Sequence, residues 1–260
     1  MTGLPFEQPA HVSDGVNTES SFIGDSGVRG FLDCAPDPLR YSAATRVPGE
    51  ATGMLCDRIP RGSRVLDIGC GTGSISMLIR EECSAEVVGI EPDAARAEAC
   101  ARRGLNVRCG LWDHAAASEL GKFDVVMFAD VIEHVQDPVA LLELAASALT
   151  PRGIVVVSTP NVAHWTLRLA LLRGRFDYAP IGIMDATHLR WFTRKTLHRV
   201  LRAAGLEVVD HDWTNGAWMD CYSGGLTRVA RGRLRTLVKI APDLFGCQHI
   251  VVATRSTEAL

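Results

Sequence analysis

The sequence has few aromatic residues, no long apolar run and no large excess of one charge. Only 6% of its 260 residues are aromatic, while 47% are apolar and 22% are charged. No segment approaches the roughly 18 consecutive apolar residues that a membrane span needs. The composition therefore excludes a collagen, a coiled coil and a disordered chain, and it favours a globular domain of about 200 to 250 residues.

Paired cysteines are missing as well. The eight cysteines are scattered singly, without a C-x-x-C motif or the close ligand spacing of a zinc site. We therefore interpret them as small buried side chains in a reducing compartment. Residues 1–15 show neither a basic start nor the apolar stretch of a secretory signal, which predicts a cytoplasmic enzyme.

The charge balance gives no general attraction to polyanions. The chain carries 27 basic and 30 acidic residues, a formal net charge of −3, so neither nucleic acid nor an anionic membrane is expected as a partner. Residues 164–239 nevertheless hold 13 basic residues against 6 acidic ones. This local excess favours an anionic acceptor, although the basic residues near the end of that range could equally solvate an amphipathic helix. Those residues are Arg228, Arg231, Arg233, Arg235 and Lys239.

Short apolar strands alternate with amphipathic helices from residue 64 onward. The near-continuous valine and isoleucine runs, separated by helices, predict a mostly parallel sheet covered on both faces. Seven strands are predicted, at Arg64–Ile68, Glu86–Ile90, Asn106–Arg108, Phe123–Phe128, Ile154–Val157, Leu206–Val209 and His249–Ala253.

Polar residues mark where several helices begin. Asp93 and Thr193 are placed to cap helices, and Asp137-Pro138 opens the helix that follows the fourth strand. The apolar spacing predicts that this helix runs through Leu149 and stops at Thr150.

The chain divides into an arm, a main domain and two insertions. Residues 1–47 are predicted to form an N-terminal arm or lid, and residues 48–255 the main domain, followed by a short tail at 256–260. Residues 160–192 and 213–246 interrupt the alternation. Connections of that length inside a compact domain are usually caps over a site.

A glycine-rich turn follows the first strand. Gly69, Gly71 and Gly73 lie where open α/β sheets bind ligands, and without Cβ atoms they let a ligand approach the backbone. A dinucleotide fingerprint would require its last glycine at position 74, which is Ser74. Asp67 would repel a pyrophosphate and attract a cation, so these residues predict a positively charged nucleoside as ligand.

Two further acidic residues fit such a ligand. Glu91 ends the second strand, where a carboxylate can accept both hydroxyls of a ribose. After the third strand, Leu111 and Trp112 offer an apolar wall for an adenine, and Asp113 an acceptor for its amino group. Trp112 could instead belong to the core.

Three blocks together resemble class I S-adenosylmethionine-dependent methyltransferases. They are Val65-Leu-Asp-Ile-Gly-Cys-Gly-Thr-Gly73, Val87-Val-Gly-Ile-Glu-Pro-Asp93 and Phe123-Asp-Val-Val followed by Val131-Ile-Glu-His134. The resemblance extends from about residue 48 to residue 255, and it implies a Rossmann-like sheet with an antiparallel last strand and S-adenosylmethionine as cofactor. The cofactor-binding residues that it implies are Asp67, Gly69, Cys70, Gly71, Gly73, Glu91, Pro92, Leu111, Trp112, Asp113 and Asp130.

The resemblance also narrows the acceptor. Ser158-Thr-Pro-Asn161 and Asp185-Ala-Thr-His-Leu-Arg-Trp-Phe-Thr193 are similar to a branch that methylates small hydroxylated metabolites, including quinols and saccharides. We therefore expect O-methylation of a small molecule. A nicotinamide-dependent oxidoreductase and a non-catalytic subunit with the same nucleoside pocket remain alternatives.

A hydroxyl acceptor calls for a base. His134 is the first candidate because neutral imidazole accepts a proton near pH 7, with His188 and His164 as alternatives; His134 could also only brace its loop. If the segment is helical, Asp130, Glu133 and His134 would share one face and could hold a divalent metal. Ubiquinone-pathway O-methyltransferases, which the chain resembles, have a similar acid-x-x-Glu-His motif, although their first acid is usually Glu. We expect no metal, because no fourth protein ligand is evident.

The first insertion supplies the candidate acceptor contacts. Asn161, His164, His188 and Arg190 are the predicted substrate-binding residues, with Asn161 and His188 expected to be the more exposed. Trp191 and Phe192 are interpreted as anchors of the following helix.

Overall fold

The computed structural model describes residues 43–216 and 235–256. The predicted N-terminal arm lies outside the described residues except for its last five positions. Most of the second insertion lies outside them too, including Arg228, Arg231 and Arg233. Among the described residues we find no helix with the length and apolar character that crossing a membrane requires.

The strands form one seven-stranded sheet in the order β3-β2-β1-β4-β5-β7-β6. Only β7 runs antiparallel to its neighbours β5 and β6, which confirms the predicted Rossmann-like topology. The strands are β1 Arg64–Ile68, β2 Glu86–Glu91, β3 Asn106–Cys109, β4 Phe123–Ala129, β5 Leu149–Pro160, β6 Leu206–Trp213 and β7 Gln248–Arg255.

Helices cover both faces of this sheet. They are α1 Ala51–Arg58, α2 Ser74–Cys83, α3 Ala94–Arg102, α4 His114–Leu120, α5 Pro138–Ser147, α6 Trp165–Leu172, α7 Arg194–Ala203 and α8 Pro242–Phe245, with residues 235–240 also helical. The predicted caps are confirmed, since Asp93, Asp137 and Thr193 each accept a backbone N–H from the first turn of their helix.

The helix after β4 ends earlier than predicted. Its last residue is Ser147, and Leu149 instead begins β5, where it pairs with Phe123 and is buried. The prediction that the helix runs through Leu149 was therefore wrong. An apolar residue after a helix fits the helical stripe and a buried strand equally well, so periodicity alone could not separate the two.

Alternation along the strands divides the core into two layers. On one face Leu66, Val126 and Phe128 pack with the apolar sides of α4, α5 and α7. On the other face Val65 and Met127 pack with α1 and α2. Both layers consist of closely packed, buried apolar side chains, so the central strands β1 and β4 are rigid supports for the residues at their carboxyl ends.

Three histidines, one each from α7, β6 and β7, form a hydrogen-bonded chain. His198 Nε2 lies 2.6 Å from His211 Nδ1, and His211 Nε2 lies 3.0 Å from His249 Nδ1. Trp213 stacks on the His211 ring with centroids 4.2 Å apart. Burial lowers the pKa of His211 to about 2 and that of His249 to about 4. The chain therefore joins α7, β6 and β7 through neutral imidazoles.

Acid is expected to destabilise the fold through this chain. The folded-state pKa values of His211 and His249 lie below the ordinary 6.5, so the unfolded chain binds more protons. Their stabilising effect is complete above pH 6.5 and is lost as the pH falls below it, at up to about 1.4 kcal/mol per pH unit for each imidazole. Urea unfolding between pH 7 and pH 5 measures this slope.

His249→Asn should reduce that pH slope, because one buried imidazole is removed. His114→Asn changes an exposed histidine of α4 and should leave the slope as it is in the native chain. An equal slope in the native chain and in His249→Asn would show that the buried chain does not carry the acid sensitivity.

Candidate active site

The acidic residues singled out in the sequence meet at the carboxyl edge of the sheet. Asp67 lies in β1, Glu91 ends β2 and Asp130 follows β4, and these three strands are neighbours in the sheet. Parallel strands bring their carboxyl ends to one edge, which is where such sheets bind ligands.

The turn after β1 depends on its glycines. Gly69, Gly71 and Gly73 have φ values of 71°, 57° and 78°, a region that residues with a side chain rarely adopt. At Gly73 an added Cβ would lie 2.5 Å from Leu105 Cδ1, whereas at Gly71 it would meet nothing within 4 Å. The turn is therefore packed on its inner side and open beside Gly71, where a ligand can approach the backbone.

Asp67 is buried at the base of this turn. Its Oδ2 accepts a hydrogen bond from Ser76 Oγ at 2.5 Å, while Oδ1 has no partner among the described residues. Burial, with a smaller contribution from the Glu91 charge, raises the pKa of Asp67 from 3.8 to about 7. An unpartnered buried carboxylate oxygen is costly, and a cationic ligand group would satisfy it.

Glu91 ties the turn to the start of α3. Its Oε2 accepts from Gly71 N at 2.8 Å and its Oε1 from Asp93 N at 3.0 Å. Each carboxylate oxygen has a second lone pair, so these bonds leave capacity for two ligand hydroxyls. The arrangement is compatible with the predicted ribose contact.

The segment after β3 divides into exposed and buried residues. Leu111 is 69% exposed, whereas Trp112 is 6% exposed and belongs to the main core cluster. Asp113 Oδ1 caps α4 by accepting from Ala116 N at 2.8 Å. Leu111 is thus the residue of this segment that is most available to an adenine ring, while Trp112 packs in the core.

Asp130 is held in a strained conformation. Its φ of 55° is one of two positive values at non-glycine residues in the described chain. Ser158 Oγ donates to its Oδ1 at 3.0 Å, and Gln248 Nε2 lies 2.9 Å from both carboxylate oxygens. Burial raises the pKa of Asp130. Two strands, β5 and β7, therefore fix the orientation of this carboxylate.

Glu133, His134 and His188 form a compact cluster beside Asp130. The two histidine rings meet edge to face with centroids 4.8 Å apart. Glu133 is 1% exposed; its Oε2 accepts from Thr159 Oγ1 at 2.9 Å and its Oε1 has no partner among the described residues. Burial, and then the Asp130 charge, raise the pKa of Glu133 well above its ordinary value.

Backbone carbonyls fix the tautomer of both histidines. His134 Nδ1 lies 3.1 Å from Thr187 O, and His188 Nδ1 lies 3.0 Å from Ile183 O. A carbonyl oxygen only accepts, so each Nδ1 carries the proton. The lone pair of either ring in its neutral form is therefore at Nε2, as a general base or a metal ligand requires.

The predicted metal ligands need a correction. Residues Ile132–His134 form a single 3-10 turn rather than an α-helix, and Asp130 turns toward Ser158 and Gln248. In the described residues, the three donors that lie within 4.8 Å of one another are Glu133, His134 and His188. Asp130, Glu133 and His134 therefore do not lie on one face of a helix, as the predicted metal site required. The third donor beside Glu133 and His134 is His188 and not Asp130.

Two predicted substrate contacts are buried structural residues. Asn161 is fully buried and donates to Asp243 O and Gly246 O, which joins β5 to α8. His164 is fully buried too, caps α6 and bonds Thr166 through Nδ1. The expectation that Asn161 and His188 are the more exposed was wrong, since His188 is only 7% exposed.

Other residues of the first insertion differ in exposure. Arg190 is exposed and donates to Gln136 O at 2.6 Å, next to the His134 loop. Phe192 is 3% exposed in the main core, as interpreted from the sequence. Trp191 packs beside Phe176 with ring centroids 5.8 Å apart.

Sequence reasoning missed the residues that orient the acids. Ser76, Thr159 and Gln248 bond Asp67, Glu133 and Asp130 respectively. Gln248 is 118 positions from Asp130, and only the antiparallel placement of β7 beside β5 brings the two together. No local pattern signals such a pair, whereas Ser158 and Thr159 could have been suspected because they end the strand next to β4.

The sequence of this chain is similar to those of known methyltransferases. A family model described as a methyltransferase domain matches residues 42–211. The ubiquinone biosynthesis O-methyltransferase of Ruegeria pomeroyi is 35% identical over 185 residues, which cover 67% of this chain and 73% of that protein. Its counterpart from Idiomarina loihiensis is 32% identical over 156 residues, covering 57% of this chain and 63% of that protein.

A solved structure supports the fold. The S-adenosylmethionine-dependent methyltransferase from Archaeoglobus fulgidus superimposes with a TM-score of 0.54 at 20% identity, over 79% of this chain and 95% of that one. The family match spans more than half of the chain and includes the glycine turn, Glu91 and the His134 loop. The chain therefore belongs to the class I S-adenosylmethionine-dependent methyltransferases, of the type that includes the ubiquinone biosynthesis O-methyltransferases.

Proposed function

We propose that this chain transfers a methyl group from S-adenosylmethionine to a hydroxyl oxygen of a small molecule. The observation that carries the proposal is the position of His134. Because its Nδ1 donates to Thr187 O, Nε2 is the nitrogen left to accept a proton, and it lies on the same sheet edge as the glycine turn, beside the expected cofactor site.

The residues at the glycine turn fit this cofactor. S-adenosylmethionine supplies a methyl group on a sulfonium, an electrophile active enough for the protein to act mainly by alignment and exclusion of water. The unpartnered Asp67 Oδ1 would bind the ammonium of the methionine part, and Glu91 would accept the ribose hydroxyls. The open space beside Gly71 leaves room for the ligand against the turn.

His134 would remove the proton of the acceptor hydroxyl. Its Nδ1–H would keep donating to Thr187 O, which leaves Nε2 as the nitrogen that takes up the proton. Buried Glu133 lies beside it, and a carboxylate there would stabilise the imidazolium that forms. His188 packs on the His134 ring and limits its movement.

The acceptor that we propose is a small hydroxylated molecule of the quinol or phenol class. Two of the relatives act, by name, in ubiquinone biosynthesis, and this chain covers 63% of the first one's length and 73% of the second's. A saccharide or another hydroxylated metabolite is the nearest other choice. The exposed Arg190 beside the His134 loop favours an acceptor that also carries negative charge.

The test is methyl transfer to defined acceptors. The protein is incubated with methyl-labelled S-adenosylmethionine and a panel of quinols, phenolic acids and sugars, and each product is analysed for a methyl ether. A labelled ether from one class, lost in His134→Asn, supports the proposal. Binding of S-adenosylhomocysteine without methyl transfer to any hydroxylated acceptor would favour a non-catalytic subunit. Binding of NADH but not of S-adenosylhomocysteine would favour an oxidoreductase.

The Glu133, His134 and His188 cluster supports a second candidate mechanism. Two imidazole nitrogens and a buried carboxylate within 4.8 Å of one another are a suitable donor set for a divalent ion, which would lower the pKa of a bound acceptor hydroxyl. Exhaustive chelation distinguishes the two mechanisms. Full activity after chelation supports the base, and loss of activity that Mn²⁺ or Zn²⁺ restores supports the metal.

The affinity for S-adenosylhomocysteine is expected to fall as the pH drops below about 7. The raised pKa of Asp67, about 7, means that its carboxyl is largely protonated below that pH, and only the carboxylate attracts the ligand ammonium. Each further pH unit should weaken binding by up to about tenfold. Calorimetry from pH 5.5 to 8 measures the effect.

Asp67→Asn should bind more weakly and lose this pH dependence. Asp57→Asn changes an aspartate with 53% of its side chain exposed in α1 and should retain the native profile. A native affinity that does not change between pH 5.5 and 8 would contradict the role assigned to Asp67.

A further inference from the structure

We propose that Cys70 and Cys100 form a reversible oxidation site. A hydroperoxide would oxidise the two thiols to a disulfide, and the disulfide would prevent binding of the cofactor. Cys70 lies in the glycine turn and Cys100 in α3, and their sulfur atoms are 3.9 Å apart. The effect on binding rests on the cofactor site proposed above, whereas the thiol chemistry does not.

Two glycines make room for these sulfur atoms. A Cβ at Gly89 would lie 2.6 Å from Cys70 Sγ, and a Cβ at Gly73 would lie 2.7 Å from Cys100 Sγ. Any side chain at either position would displace a thiol. The two sulfurs therefore face each other in a space bounded by backbone, with Leu105 and Met77 around them.

The pair also has suitable chemistry. The Cys70 thiol can donate a hydrogen bond to the Cys100 sulfur, which lowers the pKa of Cys100 and raises that of Cys70. One thiolate and one thiol in contact are the starting state for disulfide formation. Cys70 is 8% exposed and Cys100 is fully buried, so oxidants reach the pair slowly, and a ligand seated on the turn should slow them further.

The reaction consumes one hydroperoxide and two thiols. The thiolate of the pair attacks the outer peroxide oxygen, the O–O bond breaks, and the alcohol or water leaves with a proton, which gives a sulfenic acid. The second sulfur, having lost its proton, attacks the sulfenic sulfur. An S–S bond forms, and the displaced hydroxide takes that proton and leaves as water. The two sulfurs are oxidised and the peroxide is reduced.

Disulfide formation would distort the glycine turn. An S–S bond of about 2.05 Å requires the sulfurs to approach by about 1.9 Å. Cys70 N donates to Ile90 O at 3.1 Å, and the next residue, Gly71, donates to Glu91 Oε2 at 2.8 Å. Pulling Cys70 toward α3 strains both bonds and moves the backbone against which the ligand would bind.

The experiment treats the native protein with hydrogen peroxide, blocks remaining thiols and maps the peptides by mass spectrometry. We expect a Cys70–Cys100 link, slower formation when S-adenosylhomocysteine is present, and an affinity for that ligand at least tenfold lower after oxidation. Dithiothreitol should restore the affinity. A map without this link, or a link with unchanged affinity, would overturn the proposal.

Two variants separate this pair from the other cysteines. Cys100→Ala should bind S-adenosylhomocysteine within about twofold of the native affinity and become insensitive to peroxide. Cys83→Ala is the matched control, because Cys83 is also buried and contacts Cys56 away from the turn; this variant should stay sensitive to peroxide. Equal peroxide sensitivity in Cys100→Ala would overturn the proposal.

The peptide map keeps the test independent of both the variants and the cofactor. The native chain alone shows whether the link forms, even if Cys100→Ala does not fold, and thermal unfolding shows whether it does. Failure of the reduced native protein to bind S-adenosylhomocysteine would contradict the cofactor assignment. The presence or absence of the link would still decide whether the two thiols pair.

Discussion

Glu91→Ala is expected to lower the affinity for S-adenosylhomocysteine by at least 100-fold. The side chain is 3% exposed and accepts two backbone N–H groups, including that of Gly71 in the cofactor turn. Its removal takes away both proposed ribose bonds and leaves the turn without its anchor. Hydrogen bonds to a charged group contribute about 1.5–3 kcal/mol each, so losing two costs about 3–6 kcal/mol, and about 1.4 kcal/mol corresponds to tenfold in affinity.

Isothermal titration calorimetry of native and variant protein measures this loss. Glu86→Ala is the matched control, because Glu86 begins the same strand, is exposed and pairs only with Arg64 among the ion pairs described. Its affinity should equal the native one. Should Glu91→Ala bind within fivefold of native while remaining folded, the ribose assignment would be withdrawn, and Glu91 would be left as a brace of the turn.

The order of strands and helices was largely predictable because it depends on local chemistry. Each predicted cap is a short side chain that accepts an N–H three residues later, and the central strands are runs of mostly apolar residues, unlike β3 at the edge of the sheet. Element ends were less predictable. Leu149 is apolar in either setting, and only its pairing with Phe123 places it in β5.

The residues proposed to bind the cofactor were easier to bring together from the sequence than those proposed to bind the acceptor. Asp67, the glycines and Glu91 lie within 25 residues, and the carboxyl ends of neighbouring strands necessarily bring them together. The residues proposed for the acceptor depend on long connections. His188 reaches His134 because Leu189 N and Arg190 N both donate to Glu133 O, a contact that no periodicity encodes.

The exposure expected for two residues of the first insertion was wrong, because Asn161 and His188 are both buried. Asn161 and His164 were predicted to contact the acceptor because polar residues in a cap often contact substrate. In the structure each bonds backbone or side-chain groups at the junction of β5, α6 and α8. A polar residue at the end of a strand can contact a substrate or bond the neighbouring backbone. The sequence does not show that Gly246 and Asp243 lie beside Asn161 and accept its hydrogen bonds.

His134→Asn is expected to lower kcat by about 10²- to 10⁴-fold, the usual contribution of a general base. Asparagine can keep an N–H directed at Thr187 O, where His134 Nδ1 now donates, but it has no equivalent of Nε2. The loop should therefore keep its shape while the proton acceptor is removed. The affinity for S-adenosylhomocysteine should change little, because His134 is not among the residues proposed to bind the cofactor.

Steady-state kinetics with the acceptor identified from the panel measure this loss, and His114→Asn, at an exposed position in α4, is the control for a histidine change as such. If His134 only braces its loop, His134→Asn should retain most of the activity and His134→Ala should lose it, since alanine cannot bond Thr187. If His134 is the base, both variants lose activity alike.

His188→Asn separates the roles of the two histidines further, because the His188 ring packs on His134. A loss of activity smaller than that of His134→Asn would assign proton removal to His134. An equal or larger loss would assign proton removal to His188.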